Sequence, residues 1–145
     1  MSELTSVQHN VSLKAALRAA EAAVDHATGL GIRVVVAVVD RDGMPVATLR
    51  MAGAHLHSTA IAEDKAYTAA SFGRDTAEWD ALLATRSDAL RQGLMLRPRF
   101  IAFGGGLVIR HEDERIGGIG VSGGSEAQDV ECAEAGLSAA GLMED

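Results

Sequence analysis

The chain has 145 residues, of which 48% are hydrophobic and 23% charged, so it suits one globular domain with a real core and is not intrinsically disordered. A net charge of −7 argues against a general binder of nucleic acid or anionic membranes. The single cysteine, Cys132, excludes an internal disulfide, and we expect it to be a small core residue.

The first ten residues are polar, and no apolar run reaches the roughly 18 residues that a membrane span needs. We therefore expect a soluble cytoplasmic protein without a signal peptide. Residues 1–11 are predicted to be a flexible N-terminal tail, and residues 12–145 are predicted to be a single domain.

Hydrophobic periodicity and turn residues predict elements in the order α-β-β-α-α-β-β-β-α. In chain order these are a helix from residue 12 that Gly29 and Gly31 end, strands at 32–39 and 44–51, helices at 58–72 and 76–92, strands at 98–103, 106–110 and 116–121, and a helix at 126–142. The β-branched run at 32–39 is too continuous for a half-exposed strand, so we predict a central strand. Two hairpins and a non-alternating order favour an α+β domain whose helices pack on a five-stranded antiparallel sheet.

The last predicted strand is rich in glycine. Gly117, Gly118 and Gly120 allow another backbone or a ligand to lie close to it. Ser125 and Gln128 form a capping box that opens the last helix. The strand therefore leads through a glycine turn directly into a helix N-terminus.

This turn is a candidate anion site. The amides of Ser122, Gly123 and Gly124 lie at the positive end of the helix dipole, where they are candidate ligand-binding groups. In the alternative interpretation, Glu126 and Asp129 in the first turn of the helix already satisfy that dipole, and the turn is purely structural.

Lys65 lies on the apolar stripe of the second predicted helix, near Ala62 and Ala69. A buried lysine is unfavourable unless it is paired, and burial lowers its pKa. One interpretation is a snorkelling side chain or a structural ion pair with Asp40 or Asp129. The other is an anion anchor or a general acid/base, with Asp129 as the second catalytic residue.

Arg50, His55 and His57 surround the loop after the second strand. An arginine fork suits a carboxylate, such as a haem propionate or an organic acid, and an interface salt bridge is the alternative. On an extended segment the two histidines share one side and can ligate a metal or shuttle protons, whereas on a helix they diverge. No third ligand has matching spacing, so we expect no closed metal site, but a single histidine suffices as an axial haem ligand.

Several segments together resemble one known family. They are Val38-Val39-Asp40-Arg41-Asp42-Gly43, Arg50-Met51-Ala52-Gly53-Ala54, Lys65-Ala66-Tyr67-Thr68-Ala69-Ala70-Ser71-Phe72 with Thr76, Gly105-Gly106, Ile119-Gly120-Val121-Ser122-Gly123-Gly124, and Gln128-Asp129 with Ala133 and Gly136-Leu137. In order and spacing they resemble the GlcG/HbpS family, or haem-degrading-domain family, which includes the C-terminal domain of PduO-type corrinoid adenosyltransferases. The resemblance covers about residues 12–142, but residues 106–114 depart from the family's Leu-Pro-Ile and glycine turn.

The resemblance implies a profilin-like domain with an antiparallel sheet, in a homo-oligomer that ranges from dimer to octamer. It also implies a small-ligand-binding protein, because family members include haem-binding and haem-responsive proteins, and haem or a related tetrapyrrole is the implied cofactor. His55 or His57 would then be the metal ligand, with Arg50 and Lys65 near the propionates.

Two alternatives to tetrapyrrole binding stay open. A small catabolic enzyme of the lyase, isomerase or hydratase type would act on an organic-acid or aromatic intermediate, with proton transfer by Lys65 and Asp129 and an oxyanion held by the glycine turn. A structural assembly protein would instead pack the glycine strand at a subunit interface. The expected partners are a small anionic ligand and further copies of the chain, and neither nucleic acid nor a membrane.

Overall fold

Two antiparallel hairpins form one sheet in the computed structural model, which describes residues 3–143. The strands are β1 (Val35–Asp40), β2 (Pro45–Arg50), β3 (Gly106–His111) and β4 (Glu114–Ser122). Their spatial order is β2-β1-β4-β3, and each neighbouring pair is antiparallel. β1 lies in the interior of the sheet, which confirms the prediction of a central strand.

Helices cover both faces of this sheet. They are α1 (Leu13–Leu30), α2 (Leu56–Phe72), α3 (Trp79–Leu83), α4 (Asp88–Met95) and α5 (Glu126–Ala139), with a 3₁₀ turn at Thr76–Glu78. Alternate β1 residues pack on opposite sides: Val36 and Val38 join the core under α1 and α5, whereas Val35 and Ala37 join the core under α2. Burial on both faces explains why the strand lacks polar alternation.

Among residues 3–143, no helix combines the length and the apolar character that crossing a membrane requires.

The prediction of a fifth strand at residues 98–103 is wrong, because the sheet has four strands within the described part of the chain and this segment is irregular. The backbone of this segment forms hydrogen bonds with a side chain of α2 and not with a strand. Thr68 Oγ1 donates to the Arg99 carbonyl (2.8 Å) and accepts from the Ile101 amide (3.1 Å). Arg99 has a φ of 64°, in the left-handed region that is incompatible with a regular strand.

The predicted helix at residues 76–92 is observed as a 3₁₀ turn followed by α3 and α4. The Asp75–Glu78 capping interaction is present at its start, since Glu78 Oε2 accepts a hydrogen bond from the Asp75 amide (3.0 Å). The helix then ends at Leu83, and Ser87 caps α4 by accepting from the Leu90 amide (3.2 Å). This second N-cap interrupts an apolar pattern that otherwise indicates one continuous helix.

The end of the predicted tail at residues 1–11 contacts β4. The Val11 amide donates to the Ile116 carbonyl (3.0 Å), and His9 Nδ1 lies 2.7 Å from Glu114 Oε2. The chain is therefore bonded to the domain from His9 onward. The first two residues of that predicted tail lie outside the described residues.

Gly118 and Gly120 of β4 face the backbone of α2. A Cβ at Gly120 would overlap the Ala62 carbonyl oxygen and lie 2.7 Å from the Ala66 nitrogen, and a Cβ at Gly118 would overlap the Ala66 carbonyl oxygen. The glycine strand thus allows the close approach that the sequence suggests, and the approaching backbone is that of α2.

Replacing Gly120 with alanine is expected to lower the free energy of unfolding by about 1–3 kcal/mol, because the added methyl group pushes α2 away from β4. Gly29 in α1 is the matched control, since a Cβ there meets nothing within 4 Å. Gly29 lies in the last turn of α1, where alanine is at least as favourable as glycine, so Gly29→Ala is expected not to destabilise the protein. Urea unfolding measures both, and equal changes would contradict the close packing.

Candidate functional site

Lys65 extends from α2 to the junction between β4 and α5. Its Nζ donates hydrogen bonds to the Val121 carbonyl (2.8 Å) and to Asp129 Oδ2 (3.1 Å). Lys65 is 1% exposed and Asp129 is 4% exposed. The two residues that the sequence offers as partners are therefore in contact, inside the protein.

Gly105 makes room for this ion pair. A Cβ at Gly105, whose φ is 127°, would lie 2.6 Å from Lys65 Nζ and 2.6 Å from the Val121 carbonyl oxygen. The ring of Phe103 lies on another side of the ammonium, with its centroid 5.1 Å from Nζ. A side chain at position 105 would therefore occupy the space in which the ammonium meets its acceptors.

Burial and charge pairing act in opposite directions on the pKa values of this pair. Burial lowers the pKa of Lys65, and the Asp129 carboxylate partly offsets that effect. Burial likewise raises the pKa of Asp129, whereas the Lys65 ammonium and the Gly124 amide favour its charged form. Each charge is unfavourable without the other, so the pair fixes α2 and α5 relative to each other.

The amides at the start of α5 are bound by side chains of the same chain. The Gly124 amide donates to Asp129 Oδ1 (2.8 Å), and the Ser125 amide donates to Gln128 Oε1 (3.0 Å). Ser125 Oγ in turn accepts from the Gln128 amide (3.1 Å), which completes the predicted capping box. The anion at this helix start is the Asp129 carboxylate, as in the structural interpretation of the turn.

Ser122 is buried and Gly123 is half-buried, and both lie close to other protein groups. Ser122 is 6% exposed, and its Oγ lies 3.4 Å from Ser58 Oγ in α2. A Cβ at Gly123 would overlap the Arg33 carbonyl oxygen and lie 2.8 Å from Val34 Cα. This turn therefore packs against the backbone of Arg33 and Val34, which immediately precede β1.

A cavity of about 660 Å³ lies elsewhere, between the 3₁₀ turn, β3 and the end of α5. Arg74, Leu107 and Leu137 are among its lining residues, whereas Lys65 and Asp129 are not. A molecule in this cavity would not reach the ammonium of the buried ion pair.

Four basic side chains lie where β1 begins, β2 ends and α2 begins. We call Arg33, Arg50, His55 and His57 the α2-start cluster, and all four residues are exposed. α2 begins at Leu56, with His55 as an N-cap residue that makes no capping hydrogen bond and with no acidic residue in the first turn. The N-terminus of α2, which is the positive end of the helix dipole, therefore lies near basic side chains.

The two histidines do not lie on one extended segment, because the backbone becomes helical between them. α2 begins two residues before the predicted boundary at residue 58, and Ser58 is a buried residue inside the helix. Within residues 3–143 neither imidazole has a hydrogen-bond or ion-pair partner, and no group of three or more His, Cys, Asp or Glu residues is placed to hold a metal ion.

Arg33 is the member of the α2-start cluster that the sequence analysis did not identify. Its Nη1 donates to the Ala52 carbonyl (3.3 Å), and Arg50 Nη2 donates to the Ala54 carbonyl (3.5 Å). The signal that would have identified it is the hairpin register, in which Arg50 pairs with Val35, two residues beyond Arg33.

The family model and the similar proteins found by sequence comparison point to the same family. Residues 11–138 match the family described as haem-degrading protein HbpS-like. The chain is 37% identical over 120 residues to the corrinoid adenosyltransferase PduO of Citrobacter freundii, and the alignment covers 81% of this chain and 35% of that protein. The chain thus spans about a third of the length of this curated relative.

Two solved structures share the fold over nearly the whole chain. The Klebsiella pneumoniae protein ORFY is 35% identical, with a TM-score of 0.87 and coverage of 99% of both chains. The structure of a PduOC:haem complex is 32% identical, with a TM-score of 0.82 and coverage of 90% of this chain and 94% of that chain.

Lys65→Met is expected to lower the free energy of unfolding by about 3–5 kcal/mol, because it leaves the Asp129 carboxylate buried without its counter-charge. Asp129→Asn keeps an acceptor for the Gly124 amide but leaves the ammonium unpaired, so we expect a similar loss. The double variant should lose less than the sum of the single variants. Urea unfolding of the four proteins measures this coupling, and additive losses would contradict it.

Cys132 is expected to be unreactive in the folded protein. It is fully buried, and burial raises the pKa of its thiol to about 11, so only about one molecule in a thousand carries the thiolate at pH 8. A thiol-reactive disulfide reagent at pH 8 should label the protein only after denaturant is added. Rapid labelling without denaturant would contradict the buried placement.

Proposed function

The chain belongs to the HbpS-like family of haem-degrading proteins, and on that premise we propose that it binds haem or a related tetrapyrrole at the α2-start cluster. The observation that carries the proposal is the exposure of His55 and His57, whose imidazoles have no partner within the described part of the chain. A haem complex among the similar solved structures supports tetrapyrroles as the ligand class.

The side chains of the cluster fit haem chemically. A neutral imidazole nitrogen is a common axial ligand of haem iron, and both histidine rings are free for that role. The Arg50 guanidinium suits a propionate carboxylate. Leu56, between the histidines, is 84% exposed and offers an apolar contact to the porphyrin ring. Bound haem would supply the redox chemistry of its iron.

Lys65 has a supporting role in this proposal and does not contact a propionate. Its ammonium is already bonded to Val121 and Asp129. The pair holds the turn at residues 122–124 against the start of β1, where Arg33 lies. An acid–base enzyme that uses Lys65 would need its substrate at Nζ, and an exposure of 1% gives a substrate no route to that atom.

The cavity beside β3 is less suitable for haem than the α2-start cluster. No histidine lines it, so it offers no imidazole to iron. Its wall includes Glu78 and Glu134, whose carboxylates would repel propionates. Arg74 and Arg110 also line the cavity, but it offers their guanidinium groups without an imidazole for the iron.

The proposal includes a second copy of the chain, which would pack on the exposed face of the bound ligand. The cluster lies on an open surface, so a single chain would leave one face of a porphyrin in water. A second subunit packed on Leu56 and the porphyrin would remove that apolar area from water. The family resemblance, which implies homo-oligomers, supports this arrangement.

Mixing the purified protein with hemin is expected to shift the Soret band. Replacing both His55 and His57 with alanine should weaken binding at least about tenfold, because the iron loses its axial ligand. His111→Ala is the matched control, since this histidine is also exposed but lies in the β3–β4 hairpin. Absence of a Soret shift in the wild type, or wild-type binding by the double variant, would eliminate the proposal.

A further inference from the structure

The hairpin register places Arg33 next to Arg50. Val35 lies opposite Arg50, and a hydrogen bond from the Met51 amide to the Val34 carbonyl (3.1 Å) continues the pairing toward Arg33. Alternate residues of a strand share a face, so Arg33 and Arg50 lie on the side of the sheet where Val35 packs under α2. Diagonal neighbours of this kind are about 7–8 Å apart, which is within reach of one ligand with two acidic groups.

A single loop holds both guanidinium groups. Arg33 donates to the Ala52 carbonyl (3.3 Å) and Arg50 to the Ala54 carbonyl (3.5 Å). Between these acceptors, Gly53 has a φ of 87°, and a Cβ there would lie 3.1 Å from Arg33 Cδ. Glycine therefore lets the Arg33 side chain lie against the loop, while each guanidinium keeps further N–H groups for a ligand.

Neither arginine has a carboxylate partner within the described part of the chain. Elsewhere, Arg41 pairs with Glu114 at 3.0 Å and Arg99 pairs with Asp64 at 2.8 Å. The chain contains 20 aspartates and glutamates against 13 lysines and arginines, so two adjacent arginines make a locally positive surface on an acidic chain. The absence of an acid in the first turn of α2 keeps this surface positive.

We propose that Arg33 and Arg50 form a two-point carboxylate site that selects ligands with two carboxylate groups. The inference rests on the proposed function and deepens it: the two guanidinium groups take the two propionates of haem, while His55 or His57 meets the iron. Each guanidinium can bind a carboxylate through two parallel hydrogen bonds, which makes the contact selective for the free acid.

The test compares hemin with hemin dimethyl ester, in which both propionates are blocked. Absorbance titrations are made with the wild type, Arg33→Gln, Arg33→Lys, Arg50→Gln and the control Arg18→Gln. Arg18 is an exposed arginine of α1, which covers the opposite face of the sheet, so its replacement makes the same charge change away from the cluster. Thermal unfolding of each variant verifies that it is folded.

The wild type is expected to bind hemin at least about tenfold more tightly than the ester, which corresponds to one or two charge-assisted hydrogen bonds. Arg33→Gln should reduce that preference to about threefold or less by weakening hemin binding alone, and Arg50→Gln should act similarly. Arg33→Lys should give an intermediate preference, and Arg18→Gln should leave it unchanged.

Two results overturn the inference while the proposed function stands. One is equal binding of hemin and its ester by the wild type, and the other is an undiminished preference in Arg33→Gln. If the wild type binds neither compound, the proposed function fails, and the two-point site fails with it.

Discussion

Direct packing of the α2 backbone on the glycines of β4 determines where the candidate functional side chains lie. Gly118 and Gly120 place no side chain between β4 and α2, and Ala62 and Ala66 offer only methyl groups on the helix. At this short separation the Lys65 side chain passes beside Gly120 and reaches the far end of β4, where it meets Asp129. A larger side chain at any of these positions would separate the layers and leave a buried charge without its partner.

The residues singled out for function form two layers at one end of the sheet. The inner layer consists of the Lys65–Asp129 ion pair, which also binds the Gly124 amide, and of the buried Ser122, which bonds to Ser58. The outer layer is the exposed α2-start cluster. The turn packs on the Arg33 backbone, and Ser122 meets Ser58 in the first turns of α2, so the inner layer supports the outer one.

Sequence patterns within one helix or strand predicted the features that do not depend on contacts with distant segments. The central position of β1 follows from its continuous β-branched run, and helical periodicity places Lys65 on the buried stripe of α2. The segment at 98–103 has the composition of a strand, but whether it joins a sheet depends on a partner, and Thr68 of a distant helix takes its backbone groups. Arg33 was missed for the same reason, because its significance depends on the register with Arg50 across the hairpin.

The same close packing explains why a large ligand would bind at the surface of this chain. Aromatic residues make up 3% of the sequence, and the core under α2 consists of valine and alanine side chains around glycine backbone. Helix and sheet in such a core lie too close together to enclose a porphyrin between them. In the proposed function, contacts with a tetrapyrrole would therefore fall to exposed groups such as the α2-start cluster, where charge and metal ligation would replace apolar enclosure. Such binding would depend on how firmly these exposed groups are held, and the buried Lys65–Asp129 pair contributes by fixing the turn that packs on the Arg33 backbone.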